Sequence, residues 1–100
     1  MEKKYELLMD NYIEHAGKVL YQIRSLINFN DVQAGDLGGY VEKEANLSHE
    51  GDCWIYDNAK VFDNAKVFEN AMIYDNAQEY EYAQVFRDAI VFGNAQGGDD

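Results

Sequence analysis

The strictest feature of the sequence is a six-residue period that extends from Trp54 to Ala95. Its seven units read WIYDNA, KVFDNA, KVFENA, MIYDNA, QEYEYA, QVFRDA and IVFGNA. Each unit ends in alanine and has an aromatic third position, and all but QEYEYA have a branched aliphatic second position, which favours extended backbone. The period predicts a repeat architecture in which every unit is a short strand followed by a corner. Asparagine holds the fifth position of most units and tolerates positive φ, so we expect it to form that corner.

A longer period lies within the short one. Trp54, Met72 and Ile90 are the apolar first positions and are 18 residues apart, whereas the other four first positions are polar. Three units therefore make one coil, and the predicted fold class is all-β: a short triangular parallel β-helix with 18-residue coils. Because side chains alternate along a strand, second positions and alanines should point inward, and first and third positions outward. The predicted core positions are Ile55, Val61, Val67, Ile73, Val85 and Val91.

The length of 100 residues is enough for one domain with a modest core, so we expect a single domain over 1–100. An open stack of coils leaves backbone groups and core uncovered, and the different texture of the N-terminal residues suits a cap. The expected divisions are an N-terminal hairpin cap at 1–30, an irregular first coil at 31–53, the regular β-helix at 54–95 and a frayed tail at 96–100.

The hairpin prediction rests on the residues that follow Gly17, which offers a turn. Val19, Tyr21 and Ile23 alternate with polar residues, as in a half-buried strand. We therefore expect these three side chains to face the core.

The stretch DLGGYVEKEANLSHEGDCWIYDNAKVFDNAKVF, with the hairpin before it, resembles the small hexapeptide-repeat proteins of bacteria, phages and prophages. Those proteins are similar to the left-handed parallel β-helices of the acyltransferase superfamily. The resemblance covers nearly the whole chain and implies a left-handed β-helix with an N-terminal β-hairpin cap. It also implies a phage or prophage origin, with the host cytoplasm as the location.

Acidic residues dominate the charge, since 19 Asp and Glu against 8 Lys and Arg give a formal net charge of −11. Such a chain is repelled by nucleic acids and anionic membranes, so neither is expected as a direct partner, and basic proteins are favoured. The sequence has no apolar run as long as a membrane span, and no apolar signal-peptide core follows Met1. We therefore expect a cytoplasmic protein.

Coils of 18 residues would stack the fourth-position acids in columns, and successive acids within a column would lie about 4.8 Å apart. These acids could be solubilising turn residues, could bridge a cation, or could present negative charge to a basic partner. Glu79 would be costly in the inward slot of QEYEYA, so we expect a bulge that turns it outward. The predicted partner-binding surface consists of Asp57, Asp63, Glu69, Asp75, Glu79, Glu81, Tyr80 and Tyr82.

An apolar face is predicted on the side built from the first unit of each coil. Six large side chains there would expose several hundred Å², more than a soluble monomer usually does. We expect this face to form a homodimer across a two-fold axis, and the alternative is that the N-terminal hairpin covers it. The predicted self-association residues are Trp54, Tyr56, Met72, Tyr74, Ile90 and Phe92.

No catalytic, cofactor or metal site is expected. His15 lies beside the predicted hairpin turn and His49 in the irregular first coil, and the sequence shows no carboxylate or nucleophile beside either, as a general base would need. Two histidines and one cysteine at scattered spacing do not match a zinc site. Cys53 occupies an alanine slot, so it should be a small buried thiol.

Three functions stand as hypotheses. The preferred one is a non-enzymatic inhibitor, of an anti-CRISPR or other anti-defence type, that mimics nucleic acid and occupies a basic, nucleic-acid-binding surface of a host protein. Its phage association comes from the resemblance alone. The alternative is a self-associating structural or assembly module, and a second alternative is a vestigial hexapeptide acyltransferase-like enzyme.

Overall fold

The computed structural model describes residues 2–99, which are all-β apart from one turn of 3-10 helix. The elements in chain order are β1 (Tyr5–His15), β2 (Lys18–Ser25), β3 (Leu37–Val41), the 3-10 turn (Glu44–Asn46), β4 (Trp54–Ile55), β5 (Lys60–Val61), β6 (Lys66–Val67), β7 (Met72–Ile73), β8 (Gln78–Glu81), β9 (Gln84–Val85), β10 (Ile90–Val91) and β11 (Gln96–Asp99).

The short strands stack into three parallel sheets that form the sides of a triangular prism. Side 1 consists of β4, β7 and β10, side 2 of β3, β5, β8 and β11, and side 3 of β6 and β9. The paired residues are Trp54 with Met72, Lys60 with Gln78, and Lys66 with Gln84, so each coil from Trp54 onward is 18 residues long. The predicted fold, a short parallel β-helix with three units per coil, is confirmed.

The interior of the prism contains the second-position side chains and the alanines, as predicted. Burying a branched aliphatic side chain contributes about 1.5–3 kcal/mol, which explains why a two-residue strand is stable in this stack. Val91, in the last coil, is only partly buried. The buried members are Ile55, Val61, Val67, Ile73 and Val85, with Ala59, Ala65, Ala71 and Ala77.

Every unit ends in the same corner, in which the alanine N–H donates to the carbonyl of the aromatic residue three positions earlier. Positive φ falls on the fourth position, as in Asp57 (58°) and Asp75 (61°), and not on the fifth-position asparagines, so that prediction is wrong. The asparagine N–H instead donates to the next coil, for example from Asn58 to the carbonyl of Asp75. Asp also tolerates the left-handed region because its short polar side chain can bond locally.

The first coil is irregular because its side 3 is two residues longer than a hexad. Leu47 bridges to Val67, a separation of 20 residues, and the register returns to 18 at Trp54. A glycine is required where the chain enters this coil, since a Cβ on Gly39 would lie 2.5 Å from the carbonyl oxygen of Ala59.

The N-terminal hairpin extends side 2 beyond the first coil, because β2 pairs antiparallel with β3. Its turn is Ala16 and Gly17, both with positive φ. Leu20 and Ile23 are fully buried but Val19 is exposed, so the predicted Val19, Tyr21 and Ile23 face is wrong in part. A register shift between β2 and β3 interrupts the simple alternation.

The segment predicted as a frayed tail forms a strand instead. Gln96–Asp99 is β11 and pairs in parallel with β8, with Gly97 opposite Glu79. Asp100, the last residue of that prediction, lies outside the described residues.

Within residues 2–99, the structure contains no helix with the length and apolarity needed to cross a membrane.

Candidate functional site

The fourth-position acids form columns at the corners of the prism, and their carboxylates have a local role. Four of them accept the backbone N–H of the fourth residue one coil later. Charge-assisted bonds of this kind are stronger than neutral ones and offset repulsion between stacked carboxylates. The bonds run from Asp75 N–H to Asp57 (3.2 Å), Glu81 N–H to Asp63 (3.1 Å), Arg87 N–H to Glu69 (2.8 Å) and Gly93 N–H to Asp75 (2.9 Å).

We expect Asp75→Ala to lower the free energy of unfolding by about 1–2 kcal/mol, because it removes the acceptor for the Gly93 N–H and places alanine at positive φ. Asp75→Asn keeps an acceptor oxygen and suits the same backbone, so its effect should stay within about 0.5 kcal/mol. Urea unfolding of the two variants measures this. Equal losses in both would show that the negative charge itself, and not the acceptor, stabilises the corner.

The hairpin neutralises part of one acidic column. Lys18 Nζ lies 3.2 Å from the Asp63 carboxylate and 3.8 Å from that of Glu42. Burial alone would raise the pKa of Asp63, but the N–H of Glu81 and the charge of Lys18 together lower it. Asp57 and Asp75, at the corner between side 1 and side 2, are exposed. Binding of a basic protein to these carboxylates stays a prediction.

Glu79 points into the prism, and the predicted bulge is wrong. It pairs in register with Val61 on one side and Gly97 on the other, and the residue is only 5% exposed. A Cβ on Gly97 would collide with the Glu79 carboxylate, so the longer side chain fills the slot that the glycine leaves empty. Burial raises the pKa of Glu79 to about 7.

The predicted partner-binding residues that follow Glu79 in the sequence therefore do not form a surface patch with it. Tyr80 stacks on Phe62 with ring centroids 5.5 Å apart and is half-buried. Glu81 and Tyr82 are exposed at the following corner. Of the four predicted partner-binding residues in the QEYEYA unit, only Glu81 and Tyr82 are exposed.

The predicted apolar face on side 1 is divided between covered and exposed halves. Trp54 is 1% exposed because Tyr5 and Phe29 pack edge-on against its ring, with centroids 6.3 and 5.4 Å away. The hydroxyl of Tyr56, whose ring stacks on that of Tyr74, donates to Asp31 at 2.8 Å. The N-terminal segment thus covers Trp54 and contacts Tyr56, the first two residues of this face. Trp54 is therefore not available for self-association.

The other half of this face lies in the terminal coil, residues 84–99, and is exposed. Ile90 is 60% and Phe92 66% exposed. Ala89 is exposed although Ala71, in the same slot one coil earlier, is fully buried. The contrast arises because no strand among residues 2–99 pairs with the outer edges of β9, β10 and β11.

His49 has a carboxylate partner that sequence reasoning missed. Its Nε2 is 2.8 Å from Glu44 Oε1, and this hydrogen bond lowers the pKa of Glu44. Its Nδ1 accepts the N–H of Lys4 at 3.1 Å, and its ring stacks on Tyr5 at 4.2 Å. Both nitrogens are therefore engaged, so the arrangement secures the cap and leaves no free lone pair for a base.

His15 contacts two of the residues that line a shallow groove between the hairpin turn and side 2. Its Nε2 is 3.0 Å from Gln78 Oε1, and its ring packs edge-on against Phe62. The groove has a volume of about 340 Å³ and is also lined by Lys18 and Tyr80. This size is at the lower end of small-molecule sites.

Cys53 is fully buried, as predicted, but its partner Lys4 was not foreseen. The Lys4 ammonium donates to the carbonyls of Gly51 (3.1 Å) and Cys53 (2.7 Å) and lies 4.8 Å from the centroid of the Phe29 ring. Burial lowers the pKa of Lys4. Nothing local distinguishes Lys4 from Lys3, which is exposed, so no sequence signal could have identified it.

Comparison with known proteins gives one partial similarity of interest. The chain is 51% identical over 39 residues to the uncharacterized acetyltransferase YdcK of Escherichia coli strain K12. The matched segment is 39% of this chain and 12% of the length of that relative. No family model matches the sequence. The stacked coils and this similarity both fit a hexapeptide-repeat protein of the β-helix type.

Proposed function

We propose that this protein is an assembly module that joins other protein chains through its terminal coil. One observation carries the proposal: the same sequence slots that are buried within the stack are open to solvent in the terminal coil, as in Ala71 and Ala89. Unpaired strand edges beside exposed apolar side chains favour pairing with another chain.

Two further observations support a binding role over a catalytic one. The two nitrogens of His49 are both used in hydrogen bonds that hold the cap. The fourth-position acids, such as Asp63 and Glu69, accept backbone N–H groups and so contribute to the stack itself. The large exposed residues Ile90 and Phe92 have no comparable role among residues 2–99.

A photo-crosslinking amino acid at position 92 tests the proposal. It should give covalent adducts with a protein partner in cells, and mass spectrometry of the cross-linked peptide should identify the contact. The matched control is the same amino acid at Met9, which is 62% exposed on the hairpin. An absence of adducts at 92, or equal adducts at both positions, would contradict a specific role for the terminal coil.

An acetyltransferase-related function is the second candidate, and the partial similarity to YdcK favours it. The groove lined by Lys18, Gln78 and Tyr80 is the place where the acyl end of a donor would bind. Calorimetric titration with acetyl-CoA tests this. Heat of binding that disappears in Lys18→Ala would support the candidate, and no binding at millimolar ligand would reject it.

Inhibition of a basic, nucleic-acid-binding host protein is a third candidate, supported by the net charge of −11 and by the exposed acids Asp57 and Asp75. Once a partner is identified, a salt titration tests it, because attraction between exposed charges is screened. An affinity that is unchanged between low and high ionic strength would reject the mimicry.

A further inference from the structure

We propose that the terminal coils of two copies join tail to tail, and that the contact forms when the Glu79 carboxyl is neutral and separates when it is ionised. This inference rests on the proposed function and names both the partner and the ionisation that controls its binding.

The geometry of the two ends selects this partner. The N-terminal end is closed, since the hairpin extends side 2 and the Gly38–Gly39 backbone lies against Ile55 and Ala59. One copy therefore cannot stack its terminal coil on the first coil of another. Among residues 2–99 the strand edges that remain unpaired at the other end are those of the terminal coil, and a two-fold axis between two such ends gives a self-complementary, closed contact.

The size of the molecule limits the area of this contact. The molecule measures 33 × 31 × 25 Å, so a face across its two shorter dimensions has an area of at most roughly 600 Å², and two ends in full contact reach the ~1,200 Å² of small stable interfaces. Gly97 and Gly98 of β11 have no side chains, which permits close approach of another backbone there. Phe92 and Ile90 would supply the apolar contact at the margin.

Glu79 lies where such a contact would enclose it. Its carboxylate occupies the inward slot at Gly97, the outermost layer of side 2. Its oxygens still reach solvent, since residues 2–99 contain no fully buried side-chain oxygen that lacks a hydrogen-bond partner. The other inward residues around this level, Val61 of β5, Val85 of β9 and Val91 of β10, have no charge. Stacking a second end on this one would remove the remaining solvent from the carboxylate, and burial of an unpaired charge is strongly unfavourable.

Charged side chains elsewhere on these strands do not face the carboxylate. Lys60 and Glu81, the neighbours on β5 and β8, occupy positions that alternate outward, and Arg87 and Asp88 are exposed at the following corner. These groups lie outside the prism interior that encloses the Glu79 carboxylate. Contact between the two ends would therefore change the protonation of Glu79. Its pKa of about 7 places that change near neutral pH.

Sedimentation velocity of the 1–100 chain tests the inference over a concentration series at pH 5.5 and pH 8.5. We expect dimers at pH 5.5 and a dimer Kd at least about tenfold weaker at pH 8.5. Glu79→Gln, which is neutral at both values, should dimerise equally at both. Glu81→Gln is the matched control, because it removes a charge from the same strand and should keep the pH dependence of the parent.

Three results would overturn the inference: monomers under all conditions, a dimer with no pH dependence, or a Glu81→Gln variant that behaves like Glu79→Gln. Phe92→Ser should weaken the dimer at pH 5.5 and provides a second variant if Glu79→Gln fails to fold. Monomers combined with specific cross-links at position 92 would remove the second copy as partner and leave the proposed function intact.

Discussion

Replacing Ala71 with leucine should lower the free energy of unfolding by about 3 kcal/mol or more. Ala71 is fully buried at a corner of side 3, and its slot lies between those of Cys53 and Ala89 in the neighbouring coils. Three extra carbon atoms have no space in a narrow prism whose facing side chains already fill it. Chemical unfolding monitored by far-ultraviolet circular dichroism measures the loss.

Ala89→Leu is the matched control, since it makes the same substitution in the same slot one coil later. Ala89 is exposed, so its change should stay within about 0.5 kcal/mol. Equal stability of the two variants would show that the alanine slots are not close-packed.

Replacing Asn46 with alanine should destabilise the protein by roughly 3–5 kcal/mol. This side chain is fully buried and makes four hydrogen bonds. Its Oδ1 accepts the N–H groups of Glu42 (3.1 Å) and Lys43 (2.9 Å), and its Nδ2 donates to the carbonyls of Asp63 (3.2 Å) and Ala65 (2.9 Å). Alanine would leave these backbone groups without partners where water has little access.

Asn76→Ala controls for the loss of an asparagine at an exposed corner and should cost less than about 1 kcal/mol. Guanidinium unfolding of both variants makes the comparison. If Asn46→Ala were no worse than Asn76→Ala, water would be replacing the lost bonds, and the first coil would be more open than the contacts of Asn46 indicate.

The regular part of the fold was predictable because each hexad repeats the same pattern of inward and outward residues. Ile55 and Ile73 are inward, and Trp54 pairs with Met72, as the two nested periods predicted. Alternation along a strand and register between coils depend on local spacing, which a sequence displays directly.

The errors lie where a tertiary neighbour decided the outcome. Glu79 is tolerated inward because Gly97, 18 residues later, vacates the adjoining space. Trp54 is buried because residues about 25 and 50 positions earlier, Phe29 and Tyr5, cover it. Nothing in a hexad identifies such a partner, so the hexad pattern alone predicts that Glu79 and Trp54 are exposed, whereas both are buried.

The 18-residue register also has a consequence for how the chain folds. Each strand from β4 to β8 pairs with one that is synthesised a single coil later, so that none of these strands has to wait for a distant segment. At a synthesis rate of about 5–20 residues per second, one coil emerges roughly every 1–4 seconds. The hairpin and first coil, which emerge first, can act as the template on which later coils add in sequence. We expect folding of this protein during translation to proceed in one direction, from the N-terminal end.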